Sequence, residues 1–222
     1  MKKIYAFLLT LCLLFGLTAC AGGSAEETAD TAGSSEATAA EQPEDTEDAE
    51  AEQPEEKEAE ESSEGTKTLV VYFSATGNTK GVAEKIASMT GADLYEIKAA
   101  QEYTEADLDW NDSDSRTTHE QNDPSVRPEI GSDPVSLDGY TTIYIGYPIW
   151  WGEEPRIMDT FVESYDFDGI TMIPFCTSSS SGIGSSGQNL ADNAGSGNWL
   201  EGARFGGGAS EDEIRTWIEG LQ

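Results

Sequence analysis

From about residue 66 to residue 222 the sequence predicts an α/β fold built on a doubly wound parallel sheet. Three observations predict it. Short apolar runs rich in β-branched residues alternate with segments of helical periodicity, as strands covered on both faces by helices should. The first run passes through a hydroxyl-rich turn straight into a helix. The segments after the third and fourth runs have loop compositions that packing alone does not explain, at the strand ends where such sheets gather ligands.

In order, Thr68-Leu69-Val70-Val71-Tyr72-Phe73 is short, apolar and bounded by polar residues, which makes it a buried strand. The turn Ser74-Ala75-Thr76-Gly77-Asn78-Thr79 follows, and Val82, Ile86 and Met89 then recur at helical spacing. A strand, a tight turn and a helix N-terminus together form an anion site. The first-turn N–H groups have no intrahelical partners, and the helix dipole favours negative charge. Ser74, Thr76 and Thr79 can add hydroxyl donors, Asn78 an amide donor, and Gly77 lets the backbone come close. Lys80, at the far edge, is the only cation, and the Gly-Lys-Ser/Thr ending of a triphosphate loop is absent. A cradle of neutral donors suits one terminal phosphate monoester.

The alternation in Asp93–Lys98 predicts a half-exposed second strand. A short helix is expected over Thr104–Trp110, with Thr104 as N-cap and Asp107 three positions on. Asn111–Asp138 is long and polar and is expected to lack regular structure; a connection of that length is usually functional or mobile. Thr142–Tyr147 reads as the third strand. A helix over Glu154–Ser164 follows, with Pro155 near its first turn and Ile157, Met158, Phe161 and Val162 on its buried face. Thr171–Cys176 is the fourth strand, where Pro174 should distort pairing locally. A helix from Ser185 or Ser186 to about Asn193, a weak fifth strand within Trp199–Phe205 and a final helix capped by Ser210 with Glu213 complete the order.

Two loops carry the remaining chemistry. After the third strand, Pro148-Ile149-Trp150-Trp151-Gly152 places adjacent tryptophans at neither strand nor helical spacing. A flat apolar partner would explain them, since stacking on an indole contributes about 0.5–1.5 kcal/mol beyond area burial. After the fourth strand comes Thr177-Ser178-Ser179-Ser180-Ser181-Gly182, rich in small polar residues and lacking a Gly-x-Ser-x-Gly hydrolase elbow.

The run Ser74 to Thr79 resembles the phosphate loop of flavodoxins, and the tryptophan segment is similar to the loop that packs against the flavin ring in that family. The serine-rich loop resembles the family's Thr-His-Gly-Gly-Ser-Gly loop. Thr177, Ser181 and Gly182 match it, Ser178 stands in place of the histidine, and Ser179 and Ser180 replace glycines. The substitutions leave backbone groups available to the polar edge of a flavin but put any histidine-dependent chemistry in doubt. The resemblance extends over Lys67 to Gln222. It implies a five-stranded parallel sheet in the order 2-1-3-4-5, FMN as cofactor, and a phosphate site at Ser74, Thr76, Gly77, Asn78 and Thr79. It implies a ring site at Pro148, Ile149, Trp150, Trp151, Gly152, Thr177, Ser178, Ser181 and Gly182. The segment from Tyr103 to Ile130, including Trp110, Arg116 and His119, is similar to that of one flavodoxin-like subfamily, where it forms fixed loop structure.

Upstream lie two unlike segments. Residues 1–20 begin with Met1-Lys2-Lys3, continue through an apolar core from Ala6 to Leu17 and end in Leu17-Thr18-Ala19-Cys20. The core is shorter than the roughly 20 residues a membrane-spanning helix needs. It resembles a bacterial lipoprotein signal, which implies lipidation of Cys20 and an anchor at the outer face of the cell membrane. Residues 21–65 are almost entirely Ala, Glu, Asp, Ser, Thr, Gln, Pro and Gly, with Lys57 the only cation. Such a segment has too little apolar surface to offset its ordering entropy and reads as a disordered acidic tether, spanning about 35–40 Å.

The net charge of −31 disfavours nucleic acid, because no basic stripe exists to displace counterions. Of three cysteines only Cys176 lies in the folded segment, and His119 is the only histidine, so neither a disulfide framework nor a soft-ligand metal site is expected. The expected role is electron transfer with redox partners that present basic surfaces. The alternatives are an FMN-dependent NAD(P)H or quinone reductase using Asn111–Asp138 as a pocket wall, and a surface lipoprotein that keeps the fold without the cofactor.

Overall fold

The computed structural model describes residues 67–221. Strands β1 (Lys67–Phe73), β2 (Asp93–Ile97), β3 (Tyr140–Pro148) and β4 (Thr171–Thr177) form a parallel sheet, flanked by helices α1 (Asn78–Thr90), α2 (Arg116–Asn122), α3 (Arg156–Glu163), α4 (Ser186–Ala194) and α5 (Glu211–Glu219). The sheet order is β2-β1-β3-β4-β5, where β5 is Asn198–Trp199. The topology is the expected 2-1-3-4-5.

Alternation along the strands splits the core into two layers. Leu69, Val71 and Phe73 join Ile143, Ile145 and Tyr147 on one face, under Ile157 and Phe161 of α3 and Leu190 of α4. Val70 and Tyr72 join Tyr144, Ile173 and Phe175 on the other, under Val82 and Ile86 of α1 and Ile214 of α5. Burial of each such aliphatic side chain contributes about 1.5–3 kcal/mol, so both faces of the central strands hold the sheet.

The edge strand is broken in two, with β6 (Ala203–Phe205) continuing along β4 where β5 stops. Pairing runs Met172↔Trp199 and then Phe175↔Ala203, so Leu200-Glu201-Gly202 bulge opposite Ile173-Pro174. Pro174 cannot donate a ladder hydrogen bond, and the neighbouring strand detaches where that donor is missing. The bulged chain still presses close: a Cβ on Gly202 would lie 2.6 Å from the Pro174 carbonyl oxygen.

The connection after β2 departs most from expectation. Thr104 and Asp107 do cap one another: the Thr104 N–H and Oγ1 both donate to Asp107 Oδ2 at 2.8 Å, and the Asp107 N–H returns to Thr104 Oγ1 at 3.2 Å. The chain nevertheless makes only turns there, and the helix forms later, as α2, inside the stretch expected to be irregular. Ser115 starts it, its Oγ accepting from the Thr118 N–H at 3.4 Å. The buried face of α2 consists of Thr117, Thr118, Glu120 and Gln121, so no apolar periodicity announces the helix. Backbone bonds Ala100 N→Glu129 O (2.8 Å) and Gly131 N→Lys98 O (2.7 Å) close the excursion at its base. At the other end of the chain, Ser210 caps α5 by accepting from the Glu213 N–H at 3.2 Å.

Candidate functional site

The turn after β1 presents donors without partners. Gly77 is the N-cap of α1, with φ of 85°, a left-handed conformation that glycine adopts at no steric cost. The first helical bond is Gly81 N→Gly77 O at 3.0 Å, which leaves the N–H groups of Asn78, Thr79 and Lys80 without intrahelical acceptors. No acidic residue occupies the first turn. Ser74 Oγ is buried and has no hydrogen-bond partner among the described residues. The Asn78 amide donates to Thr76 Oγ1 at 3.1 Å, which leaves the Thr76 hydroxyl hydrogen free to donate outward. An orphaned hydroxyl beside free N–H groups fits an anion with several acceptor oxygens, as a phosphate monoester is.

Thr79 faces inward. It is buried, and its Oγ1 pairs with Thr177 Oγ1 at 2.7 Å. That bond ties the start of α1 to the end of β4. Thr177 is also opposite Pro148 in the β3–β4 register, and its carbonyl accepts from the Ile149 N–H at 3.0 Å. One residue thus joins three strand-end loops.

Trp150 and Glu153 exchange both backbone bonds, at 2.9 and 3.0 Å, around a two-residue turn. Trp151 (φ 50°) and Gly152 (φ 89°) are both left-handed, the geometry of a type I′ turn. For a tryptophan that conformation costs about 1–2 kcal/mol. Strain of this kind is held at sites where the side chain must point a particular way. The two indoles separate: Trp150 packs edge-on against Phe73 (5.7 Å) and Tyr103 (5.3 Å), whereas Trp151 stands at the tip, 46% exposed. Trp150 packs against the core, and Trp151 is the more exposed of the two.

In the third loop Ser178 organises its own turn. Its Oγ accepts from the Ser181 N–H (2.9 Å) and the Ser180 N–H (3.3 Å), its N–H donates to Phe205 O (3.0 Å), and its carbonyl accepts from Arg204 Nη2 (2.6 Å). Ser181 and Gly182 are exposed. The loop then turns back beside the tryptophan turn, where a Cβ on Gly184 would lie 3.5 Å from the Gly152 carbonyl.

Sequence reasoning missed the supports behind these loops. The Gln121 side-chain amide donates to Trp150 O (2.9 Å) and Glu154 O (3.1 Å) from α2. Arg156 sits between Glu153 (2.7 Å), Asp159 (3.6 Å) and Glu154 (3.9 Å). Burial foremost, with the charge of Asp159 adding to it, pushes the Glu154 carboxyl up to about 7, against the pull of Asn189 and Arg156. Arg116 lies over the Tyr103 ring and bonds Glu120 and Gln101 O, as part of the fixed structure of that segment. His119 is exposed on α2. Burial pushes the Cys176 thiol up to about 12, which keeps it protonated and unreactive. Among the described residues no His, Cys, Asp and Glu group is placed to hold a metal ion.

Residues 67–221 match the flavodoxin family over their whole length. The chain belongs to the flavodoxin family. Of solved structures, a candidate flavoprotein from Bacteroides uniformis is 48% identical, covering 70% of this chain and 99% of its own, with a TM-score of 0.67. One from Bacteroides eggerthii is 45% identical, covering 71% and 98%, with a TM-score of 0.66. A flavoprotein from Lactobacillus acidophilus, solved in complex with FMN, is 25% identical over 69% of this chain and 99% of its own, with a TM-score of 0.55. No curated protein matches. The three convergent loops of this flavodoxin lie at the carboxyl ends of β1, β3 and β4, astride the point where the strand order reverses.

Proposed function

We propose that the chain is a flavodoxin that binds FMN non-covalently and carries electrons between partner proteins. The carrying observation is the pairing of an orphaned Ser74 hydroxyl and free α1 N–H groups with an exposed, strained Trp151 across the same sheet end. The first set suits the phosphate, and the second suits the ring. Family membership and the FMN complex of the Lactobacillus relative support the same ligand. Thr76, Gly77 and Asn78 would hold the phosphate with Ser74, Thr79 bracing the cradle from behind. Trp151 would cover the ring, and the backbone of Ser181 and Gly182 would meet its polar edge. FMN, when bound, supplies the electron chemistry; the protein orients it and tunes its electrostatics.

The acidic surroundings bear on that tuning. A single carboxylate about 10 Å from the ring in water opposes added negative charge by roughly 0.4 kcal/mol before screening. A handful of such neighbours lowers the potential by several tens of millivolts, and the same surface steers towards basic partners. The carrier reading is favoured over a reductase because α2 fills the long connection after β2 with its own packing and ties it to the tryptophan turn.

We further propose that Cys20 carries a lipid and that residues 21–65 tether the domain outside the membrane. Both lie outside the described residues, among which no helix is long and apolar enough to cross a membrane. Cys20→Ser should move the protein from the membrane to the soluble fraction. The test of the function itself is an absorbance spectrum of the purified protein with and without added FMN, followed by stopped-flow electron exchange. Stoichiometric flavin bands and exchange with a redox protein are expected. Sustained turnover of a nicotinamide with a quinone would replace the carrier by a reductase, and a colourless protein would remove the cofactor altogether.

A further inference from the structure

Beyond the three loops, the tryptophan turn has an external clamp. Its two backbone bonds, Trp150 N→Glu153 O and Glu153 N→Trp150 O, close it but do not fix it to the sheet. The Gln121 amide spans it from behind: one Nε2 bond goes to the carbonyl just before the turn tip, Trp150 O at 2.9 Å, and another to Glu154 O at 3.1 Å, just after it. Arg156 Nη2 closes the circuit, donating to the Gln121 backbone carbonyl at 3.2 Å and to Glu153 Oε2 at 2.7 Å. Gln121 is buried, and the two carbonyls can be met only by donors, which fixes the amide orientation. Among the described residues its Oε1 is left buried without a partner, and so is Arg156 Nε. An amide held with its acceptor unsatisfied is held by its donors.

Its nearest analogues do not fit this role. Glutamate has the length but no donors when ionised, asparagine is one methylene short, and lysine cannot offer two hydrogens from a planar group. The partners lie 29 and 33 positions away in sequence, so the clamp couples the excursion after β2 to the turn after β3.

We propose that Gln121 is a positioning residue for the flavin: it holds the Trp151–Gly152 turn in the orientation that places Trp151 on the ring. This rests on the FMN-binding reading above. It goes beyond it by assigning a ring-orienting role to a residue in none of the three loops.

The test uses the full chain as wild type, Gln121→Ala and Gln121→Glu, the last keeping the side-chain size without the donors. With no flavin present, hydrogen exchange at the Trp150 and Glu153 amides should accelerate by about tenfold or more in both variants, while β1 and β3 amides stay at wild-type rates. With FMN and with riboflavin, both variants should bind about tenfold more weakly by the same factor, because the ring contact and not the phosphate contact is loosened. Bound-flavin fluorescence should rise as Trp151 leaves the ring. In the wild type, the Gln121 side-chain amide hydrogens should be protected from exchange, a reading that needs no variant to fold. Wild-type exchange and quenching in both variants, or an unprotected Gln121 amide, would overturn the proposal. Absence of flavin binding by the wild type would instead remove the functional reading, and the flavin-free exchange arm would still decide whether Gln121 holds the turn.

Discussion

The turn after β1 and the turn after β3 stand at the same end of the sheet but are built in opposite ways. The first is made from consecutive residues: one left-handed glycine, a helix start, and hydroxyls within a few positions of each other. The second places a tryptophan in the left-handed region and is held by a glutamine and an arginine on separate helices, over buried carboxylates. The difference teaches that an anion can be gripped by backbone that the local sequence shapes, whereas a ring must be met by a side chain whose direction distant residues determine. Affinity for the phosphate and geometry at the ring are therefore separable by mutation.

The largest expected effect breaks the local half. Thr76→Val with Asn78→Ala removes two donors from a dianion, and each charge-assisted bond contributes about 1.5–3 kcal/mol. Calorimetric titration should show FMN affinity falling by at least about tenfold while riboflavin binding is scarcely changed. Equal losses would mean that this turn does not select the phosphate.

Next in size is a probe of the buried charges behind the ring-facing half. Glu154 titrates near 7 in the fold against an ordinary value of 4.5, because burial disfavours its anion. The unfolded chain therefore releases this proton at lower pH than the folded one, and the contribution of Glu154 to stability falls as pH rises from about 4.5 to about 7, then stays low. Glu154→Gln should flatten that part of the profile and raise stability at pH 8, by at most about 3 kcal/mol. The lost attraction to Arg156 works against the gain. Denaturant melts across pH give the answer. A wild-type profile flat through this window would mean that Glu154 is charged at neutral pH.

Separating the tryptophans sharpens the comparison further. Trp151→Ala should weaken FMN binding by about 1–3 kcal/mol and restore flavin emission, with little loss of melting temperature. Trp150→Ala should do the reverse, since its ring packs on Phe73 and Tyr103. Interchanged outcomes would assign the ring contact to Trp150. The smallest effect is expected for deletion of residues 21–65, which should leave the melting temperature and FMN affinity of the domain unchanged, because a segment so poor in apolar residues adds few contacts. A marked drop would show that this segment docks on the domain.

What was legible in the sequence follows the same division. The strands, α1, α3, α4 and α5 could be read because apolar periodicity and caps are local signals, whereas the strand order came from the resemblance of the loops to those of flavodoxins; Pro174 announced the distortion beside β4. The broken edge strand could not be resolved into β5 and β6, since the bulge depends on which residue faces Pro174 across the sheet. Helix α2 was missed because its buried face is polar, and Thr104–Asp107 misled because a capping box can close a turn that no apolar face then extends. The three loops at the carboxyl ends of β1, β3 and β4 could be located, but not the separate directions of Trp150 and Trp151, nor Gln121, whose partners are distant in sequence.

The most direct test is a pair of titrations of the wild-type protein, with FMN and with riboflavin, followed by fluorescence. FMN should bind at least about tenfold more tightly than riboflavin, as expected for a phosphate met by charge-assisted bonds, and the emission of both bound flavins should be quenched by the indole on the ring. Equal affinity for the two flavins, or unquenched emission when bound, would contradict a site in which the α1 N-terminus holds the phosphate and the tryptophan turn covers the ring.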